Sequence, residues 1–522
     1  MENMGLIIVL ICGYLVTSLA DQNVHIMSID SSDRRLINDD DYMKNREAMI
    51  TTEKKMRIGG TLSLDDNEQA VNKTIMLEKI NMIEFSRVNH SQYIPSMSFY
   101  KVKPLIENSK LLKIIRNMPK GGALHVHDLS GVSLEWLIQN ATYRDNIYMC
   151  VNSQSYIIFK AFKSPPQNPD CPWKSVKEER AAASSPEQFD AFLRHNLSLM
   201  ISDPVETFAD NNKAWDRFKI FFAQVANLIY YVPVFKDYQY RLLEEFNADN
   251  VQYLELRTSL QGLYDLNVPE YDEEYALLLL KNITEDFMIQ NPEFIGTKVI
   301  FCGGRYANSS VILENVKKAM YLYQKYPDFL AGFDLVSDEE WYHTLLYYKD
   351  ALLYPSQQTP PYKLPYFFHA GETDWQDTEV DYNLFDAILL NTTRIGHGYA
   401  LSKHPFLAKL VKSRQIAVEV NPISNQLLRL LTDLRNHPMI GLMSDNFPIV
   451  ISSDDPSSWG ADPLSHDMYM AFMTMSGEDG DLTFLKQLAM NSLQFSSMSS
   501  NVKQKAKKKW EIRWNTFIKQ FS

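Results

Sequence analysis

The stretch GGALHVHDLS, from Gly121 to Ser130, decides both the fold and the site of this chain. Small and apolar residues lead to His125 and His127, and because strand side chains alternate between faces, both imidazoles point the same way. One strand can therefore present two nitrogen atoms to one metal ion. By itself the pair has two other interpretations, a surface pair or a core pair hydrogen-bonded to carbonyls, and only partners elsewhere in the chain can decide.

Eight short apolar runs after position 114 predict strands, and amphipathic segments between them predict helices. This alternation indicates an α/β fold, a (β/α)8 TIM-type barrel with parallel strands inside and helices outside. The predicted strands are Ala123–His127, Val251–Arg257, Gly296–Cys302, Leu330–Leu335, Tyr366–His369, Arg394–His397, Ile416–Val420 and Pro448–Ser452. The amphipathic segments include one predicted at Gln426–Asn436.

Residues 1–20 predict a cleaved secretory signal peptide, because an apolar run ends in Ser18-Leu19-Ala20, a small-x-small cleavage pattern. The apolar core is shorter than the roughly 20 residues that a membrane span needs, which disfavours an uncleaved anchor. No Lys or Arg precedes the run, which departs from the usual signal. Residues 21–113 predict a helical module that begins loosely ordered up to about residue 50, and residues 114–522 predict the barrel.

More than a hundred residues separate His127 from Val251, so we expect an inserted subdomain at about 147–204. The insert either contacts a receptor or glycan or only decorates the surface, and the sequence leaves both open. Cys150 and Cys171 bracket a Pro-rich loop there, and a disulfide between them would stabilise the protein by about 3 kcal/mol. Cys302 would then be a free, buried thiol. Seven Asn-x-Ser/Thr sequons suit a secreted glycoprotein.

The charge balance limits the partners. The chain has 52 Lys plus Arg against 64 Asp plus Glu, a formal net charge of −12. An acidic chain disfavours nucleic acid or an anionic membrane as the main partner. No stretch after the signal is apolar enough to predict a membrane span.

Candidate metal ligands stand at the C-terminal ends of several predicted strands, which is where barrel enzymes carry their sites. His125, His127, His369 and Asp454 form a nitrogen-rich set suited to one zinc ion, with room for a water molecule. Zinc activates water near neutral pH. Each residue alone has a structural interpretation, but such interpretations do not explain why all four stand at strand ends.

Candidate proton carriers stand beside these ligands. His397, flanked by glycines that leave space beside its ring, would orient the water and take its proton. Glu372 would carry a proton to the substrate, and Asp455 would contact water or substrate without binding the metal. We predict structural roles for the remaining histidines in this region, His404, His437 and His466.

Five motifs together resemble those of the adenosine deaminase growth factors, the secreted branch of the adenosine deaminase family. They are MPKGGALHVHDLSG from Met118, HAGETDW from His369, TRIGHGYALSKHP from Thr393, EVNPISNQLL from Glu419 and ISSDDPSSWG from Ile451. The resemblance covers nearly the whole chain. It implies a zinc-dependent barrel hydrolase, with one zinc per subunit, that converts adenosine, and as a further candidate 2'-deoxyadenosine, to inosine and ammonia.

The same resemblance implies the role of each site residue. It makes Glu372 the proton donor to the purine, His397 the base and Asp455 a purine contact, beside the four zinc ligands. It places Asp128 and Trp215 in the substrate pocket. It also implies that the N-terminal module forms a homodimer and that the insert binds a receptor.

Two positions depart from the family pattern. At the end of strand three this chain has Gly304 where the family has a histidine before Arg305, and after strand four the family's Asp-Leu-Val-Gly ends in Ser337. A backbone N–H serves a purine nitrogen equally from serine, but the added side chain narrows the pocket. The missing imidazole removes a ribose contact of roughly 1 kcal/mol. We expect the chemistry to survive while substrate affinity or ribose preference differs.

Two other functions stay open from the sequence. The barrel could belong to another amidohydrolase that acts on a different aminopurine or amide, although strand four has no lysine to bridge two metals. Alternatively, the chain could be a signalling ligand, a growth factor whose barrel is a relic. The intact set of ligands and proton carriers argues against a relic.

Overall fold

The structure, a computed structural model, describes residues 39–89, 93–201, 204–208 and 210–522. The predicted signal peptide lies outside the described residues. The chain divides into two compact units, residues 1–52 and 53–522. In the first unit, residues 39–52 belong to helix α1 (Asp39–Met56), so the prediction of loose order up to residue 50 is wrong there. Three acids in the first turn, Asp39, Asp40 and Asp41, favour a helix at this point because they complement its dipole.

The described part of the second unit is built on a parallel β-barrel. Its strands and those of a small separate sheet are β1 (Gly121–His127), β2 (Ile147–Val151), β3 (Ile157–Ala161), β4 (Lys174–Ser175), β5 (Val251–Thr258), β6 (Gly296–Gly304), β7 (Leu330–Val336), β8 (His369–Ala370), β9 (Arg394–His397), β10 (Ala417–Val420) and β11 (Ile449–Ile451). All eight predicted barrel strands are confirmed, with small shifts at their ends.

Two four-stranded parallel sheets form the barrel wall, in the orders β1-β5-β6-β7 and β8-β9-β10-β11. Single bridges join them, Phe333 with Tyr366 on one side and Val126 with Asp454 on the other. Strand five, predicted as Tyr366–His369, is ladder-paired only at His369–Ala370. One reason is Pro365, which has no N–H to donate and contributes only its carbonyl to Phe333.

Helices cover the barrel and its ends. After α1 they are α2 (Asp66–Val88), α3 (Phe99–Glu107), α4 (Lys110–Asn117), α5 (Leu134–Gln139), α6 (Val176–Ala182), α7 (Pro186–Leu197), α8 (Pro204–Thr207), α9 (Asn211–Ile229), α10 (Val232–Ala248), α11 (Glu273–Gln290), α12 (Ser309–Lys325), α13 (Lys349–Leu353), α14 (Asn383–Leu389), α15 (Pro405–Ser413), α16 (Pro422–Leu427), α17 (Met439–Ser444), α18 (Ser465–Met470), α19 (Leu482–Gln494) and α20 (Ser500–Phe521). None of the described helices is long and apolar enough to cross a membrane.

The amphipathic helix predicted at Gln426–Asn436 is wrong. The chain there forms α16, in which every residue is buried, and α16 ends before Arg429, whose φ of 67° cannot continue a right-handed helix. The carbonyl of Asn425 accepts the N–H of Leu430 and closes the turn. The apolar residues at the start of this segment therefore reflect the complete burial of α16 and not one buried helix face.

The range 147–204 contains a small antiparallel sheet in the order β3-β2-β4, followed by α6 and α7. Cys150 and Cys171 form the predicted disulfide, with their Cα atoms 5.4 Å apart, and Cys302 is a free, buried thiol. Buried Arg180 donates to Asp190 at 3.0 Å and packs 3.7 Å from the ring of Tyr143, joining α6 to α7 and to the segment before β2. The exact limits of the insert and of the N-terminal module stay predictions.

Candidate active site

The predicted metal ligands meet at the C-terminal end of the barrel. His125 and His127 lie at the end of β1, His369 begins β8, and Asp454 follows β11. The Asp454 N–H donates to the His125 carbonyl, and the His127 N–H donates to the Asp454 carbonyl, both at 3.0 Å. The contact that closes the barrel therefore also brings this acid beside the two histidines.

The side chains of this cluster face one another closely. His125 Nε2 and His127 Nε2 each lie 3.2 Å from Asp454 Oδ1. His125 Nε2 is buried and has no hydrogen-bond partner within the described chain. One ligand atom from each of four residues lies within 4.8 Å of the others, and these residues are His125, His369, His397 and Asp454. An unpartnered imidazole nitrogen facing a carboxylate leaves a place that a cation fits.

Two buried carboxylates orient the imidazoles. Glu419 Oε2 lies 2.8 Å from His125 Nδ1, and Asp334 Oδ2 lies 2.7 Å from His369 Nδ1. Each contact engages Nδ1 and leaves Nε2 for the cluster, as carboxylates do behind metal-binding histidines. The guanidinium of Arg257 joins the two acids, at 2.8 Å from Asp334 and 2.7 Å from Glu419. From the sequence, Arg257, Asp334 and Glu419 have no predicted role. Glu419 nevertheless begins the quoted motif EVNPISNQLL, and Asp334 begins the quoted Asp-Leu-Val pattern before Ser337.

The protonation states also suit a metal ion. Burial lowers the pKa of His369 to about 3, so its ring is neutral at physiological pH. Burial alone would raise the pKa of Asp454, but the close contacts of its carboxylate with the His125 and His127 imidazoles outweigh burial and hold that pKa well below its ordinary value. Neutral imidazole and ionised carboxylate are the forms that bind metals. The cluster therefore suits a metal ion in its donor types, its spacing and its charge. His397 stands in the mutually close group, whereas the predicted ligand His127 groups with Asp454 and Asp455, so the exact ligand set stays a prediction.

Two residues of the site have unusual backbone conformations. His397 and Asp454 both have φ of 59°, in the left-handed region that few non-glycine residues adopt. Such strain is tolerated where the surroundings over-determine a conformation, which is frequent at functional sites. A Cβ at Gly396 would lie 3.1 Å from His125 Cε1, so this glycine makes room for the His125 ring, while the space predicted beside the His397 ring stays a prediction.

A cavity of about 520 Å³ opens above the cluster. Its wall includes all five residues predicted to contact or border the substrate, Asp128, Trp215, Gly304, Ser337 and Asp455. Burial raises the pKa of Asp128 to about 6. Helix α9 contributes Trp215 and the apolar side of the cavity, with Phe218 stacked on Trp459 and edge-on to Trp215.

The two positions that depart from the family pattern both lie on this wall. A Cβ on Gly304 would be 2.4 Å from the ring of Tyr306, so that ring covers the place where another residue would carry its side chain. Tyr306 is 69% exposed and lies at the mouth, edge-on to Tyr342. Ser337 has φ of 93°, a conformation suited to glycine.

Sequence comparisons agree with this geometry. The adenosine deaminase model matches residues 196–510, and the adenosine/AMP deaminase N-terminal model matches residues 10–115. The chain is 43% identical over 484 residues to adenosine deaminase 2 of Sus scrofa, covering 92% of this chain and 94% of that protein. It is 42% identical over 478 residues to adenosine deaminase 2 of Homo sapiens, covering 91% and 93%. The chain belongs to the adenosine deaminase family.

Two solved structures have the same barrel fold as this chain. The N6-mAMP deaminase of arabidopsis has a TM-score of 0.55 at 15% identity, over 77% of this chain and 99% of that one. An amidohydrolase from Burkhoderia ambifaria, solved with bound Zn, has a TM-score of 0.51 at 18% identity, over 79% and 94%. At these identities the likeness extends to the fold alone.

The remaining predicted site residues of this adenosine deaminase family chain also lie in the cavity. Glu372 is buried, with Oε1 3.3 Å from His397 Nδ1. Burial, followed by the negative charges of Asp454 and Glu339, raises the pKa of Glu372 well above its ordinary value. Burial and the adjacent Asp454 likewise raise the pKa of Asp455. Both shifts favour the protonated form of Glu372 and Asp455 relative to an ordinary carboxyl group.

A hydrogen-bond relay reaches His397 from behind. The Met439 N–H donates to His437 Nδ1 at 3.2 Å, so neutral His437 carries its proton on Nε2, which lies 3.0 Å from Asn425 Oδ1. The Asn425 amide in turn donates to His397 Nδ1 at 3.1 Å. This direction leaves the proton of neutral His397 on Nε2, the nitrogen that faces Asp454. His437, predicted to be only structural, therefore contacts the site through Asn425.

The other two histidines lie away from the cluster. His404 Nε2 lies 2.9 Å from Asp381, and His466 accepts the Asp462 N–H at 2.8 Å through Nδ1. His466 also shares a possible ligand group with Glu107 and Asp462, but an arginine already pairs with both acids. A cation there would compete with that guanidinium.

Proposed function

We propose that the chain is a secreted, zinc-dependent adenosine deaminase that hydrolyses adenosine to inosine and ammonia. The observation that carries the proposal is one cavity that joins a histidine–aspartate cluster to a buried carboxyl group whose pKa is raised, Glu372. Hydrolytic deamination needs both elements, an activated water and an acid for the purine. The family and its relatives named adenosine deaminase 2 support the same reaction.

One zinc ion per subunit is proposed, held by His125, His127, His369 and Asp454. Nitrogen-rich sets with one carboxylate favour zinc among the common biological metals. Bound there, zinc would supply Lewis-acid activation of a water molecule near neutral pH. Glu419 and Asp334 would keep the imidazoles oriented, as their contacts with Nδ1 indicate.

The protein side chains would move the protons. Glu372 donates its proton to a purine ring nitrogen as the water oxygen bonds to the carbon that carries the amino group. The proton that the water loses passes to the amino group, the carbon–nitrogen bond breaks, ammonia leaves, and the hydroxyl proton remaining on the new oxygen returns to Glu372. His397 orients the water through its Nε2–H; this tautomer has no lone pair on Nε2, so the role of His397 as the base that takes the water proton stays a prediction that requires the other tautomer. Asp455, next to the cluster and joined to the hydroxyl of Ser130, contacts the purine or the water.

The reacting carbon must lie at the cluster, so the ribose extends toward the cavity mouth. Asp128 and Trp215 lie along that path, and Gly304 and Ser337 border it. Because these two wall residues depart from the family pattern, the preference between adenosine and 2'-deoxyadenosine is proposed to differ from that of relatives. No nucleic-acid partner and no membrane span are proposed for this chain.

Secretion, a homodimer and receptor or glycan binding by the insert are also proposed. The disulfide and the seven sequons support passage through the secretory route. The relatives named adenosine deaminase 2 suggest the secreted form. The homodimer through the N-terminal module and a growth-factor role rest on the family resemblance, and lowering extracellular adenosine would be the direct physiological effect.

The test follows the ultraviolet absorbance change as purified protein converts adenosine, with and without a chelator. Glu372→Gln is expected to lower kcat on the order of 10²-fold or more, since it removes the acid. Glu314→Gln, the same change at an exposed residue, is the matched control. His127→Ala should lose the metal, measured by metal analysis of the purified protein.

Two results would overturn parts of the proposal. If folded, zinc-loaded wild-type protein left adenosine unchanged, the adenosine deaminase function would be excluded. The alternative function, a signalling ligand with weak or altered aminopurine hydrolase activity, would then be favoured. If His127→Ala kept one zinc per subunit, the ligand assignment would be wrong while the activity could stand.

A further inference from the structure

The segment Asp338–Glu340, which we call the acidic segment, follows β7 and faces the loop after β8. Its three acids contact different partners. Asp338 accepts the N–H groups of Glu340 and Trp341 and pairs with Lys219 at 3.3 Å. The middle acid, Glu339, is 1% exposed. Three consecutive acids are costly to place beside a buried carboxyl group, so their contacts require an explanation.

Glu339 contacts the backbone of the proposed proton donor. Its Oε2 accepts the N–H of Glu372 at 3.0 Å, and its Oε1 accepts the N–H of Gly371 and the amide of Asn383, both at 2.8 Å. Within the described chain, no Lys, Arg or His nitrogen lies within 4.0 Å of this carboxylate. Hydrogen bonds from backbone and amide N–H groups therefore satisfy this buried acid.

Other groups hold the later part of the loop that Glu339 contacts, since the Thr373 hydroxyl and the Asp374 N–H donate to Glu340 and Lys403 donates to the Asp374 carbonyl. Gly371 has φ of 75°, and a Cβ there would lie 2.9 Å from Leu384, so the loop turns tightly before Glu372. The Gly371 carbonyl accepts the Ala400 N–H at 2.9 Å. Glu339 supplies the acceptors for the two consecutive N–H groups at this turn, and so fixes the direction in which the Glu372 side chain leaves the backbone.

We propose that Glu339 is a positioning residue, which holds the backbone of Glu372 so that its carboxyl group faces the substrate. The inference rests on the proposed function, because it acts through the acid of that reaction. The charge of Glu339 works in the same direction, since after burial and Asp454 it is a cause of the raised pKa of Glu372. Glu340 instead accepts the Thr373 hydroxyl at 2.5 Å and does not touch Glu372 through a described hydrogen bond.

The test compares Glu339→Gln with Glu340→Gln in zinc-loaded protein. Glutamine keeps the length of the side chain but turns an NH2 group toward one of the N–H groups, leaving that donor unpaired. We expect kcat for adenosine to fall on the order of 10- to 100-fold, with KM changed less than about threefold, because orientation is lost and binding is not. Glu340→Gln should change kcat less than about threefold.

A double-mutant cycle separates positioning from general damage. If Glu339 acts through Glu372, adding Glu339→Gln to Glu372→Gln should lower kcat no further. If Glu339→Gln does not fold, judged by circular dichroism and zinc content, Glu339→Asp serves instead. It keeps the charge but is too short to reach both N–H groups, so the same loss is expected.

Three outcomes would overturn the inference. Wild-type kcat in folded Glu339→Gln would exclude a positioning role while the deaminase proposal stands. If the two single-variant losses of kcat multiplied in the double variant, Glu339 would be shown to act independently of Glu372. Wild-type protein without deaminase activity would remove the proposed function and this inference together.

Discussion

Arg257 is expected to be the most sensitive structural residue behind the site. Its side chain is fully buried and contacts Asp334 at 2.8 Å, Glu419 at 2.7 Å and two main-chain carbonyls at 3.1 and 3.2 Å. In Arg257→Met both carboxylates lose a buried cation, and removal of one partner from such a pair costs about 3 to 5 kcal/mol. We also expect metal affinity to weaken by about 10- to 100-fold, since the two acids orient metal-binding imidazoles.

The assay is denaturant unfolding of metal-free protein, with metal titration as a second readout. Arg194→Met is the matched control, because Arg194 contacts Glu135 at a 45% exposed surface pair and such pairs contribute less than about 1 kcal/mol. If Arg257→Met lost no more stability than this control and bound metal normally, the account of the buried charge network would be refuted.

The same variant has a pH signature. Burial would raise the pKa of Asp334, but His369 and Arg257 hold that pKa well below its ordinary value. Burial would likewise raise the pKa of Glu419, but Arg257 and Arg394 hold it well below its ordinary value. A depressed folded pKa gives stability that is present above the unfolded pKa values of 3.8 and 4.5 and is lost as pH falls below them. The stability difference between wild type and Arg257→Met should therefore narrow between about pH 6 and pH 3.

Three further predictions concern the cavity wall and the insert. Ser337→Gly should raise the free energy of unfolding by about 1 kcal/mol, measured by denaturant unfolding, because glycine tolerates φ of 93°; no gain would contradict the strain. Gly304→His alone should raise KM for adenosine, since the new Cβ meets the Tyr306 ring. In the double variant Gly304→His with Tyr306→Ala, kcat/KM for adenosine divided by kcat/KM for 2'-deoxyadenosine should increase roughly fivefold. If this ratio did not change, the restored ribose contact would be excluded. Cys150→Ser with Cys171→Ser should lower stability by about 3 kcal/mol in unfolding measurements, and a loss under 1 kcal/mol would show that the loop is constrained without the bond.

The sequence predicted the ligands because their chemistry and their position are both local properties. An imidazole pair at alternate residues of one apolar run is readable in GGALHVHDLS, and a barrel requires that strand ends meet at one face. His369 and Asp454 follow by the same reasoning, although more than two hundred positions separate His125 from His369. The predicted strand Tyr366–His369 overlaps β8 only at His369, in part because the Phe368 N–H donates to the Thr392 hydroxyl and not to a neighbouring strand, a detail that depends on the tertiary contact.

The second layer could not be predicted in the same way. Asp334, Glu419 and Arg257 lie inside apolar strands, where a single charged residue has no periodic signal to distinguish an ion pair from a ligand. Their roles depend on the strand register, which places Arg257 between the two acids. Glu339 likewise stands in a run of three acids, and only the hydrogen bonds to Gly371 and Glu372 distinguish it from its neighbours.

Neither departure from the family pattern is a candidate metal ligand or one of the carboxylates behind the ligands. Gly304 and Ser337 border the cavity, whereas the metal ligands are held from behind by Asp334 and Glu419. Because the buried charge network contacts the histidines and not the mouth, a change at the mouth leaves ligand orientation intact. Tyr306 already covers the space above Gly304, so the wall is altered in shape without leaving a hole. This separation allows substrate preference to change while the reaction is retained, and it predicts that mouth variants change KM and ribose preference more than metal content.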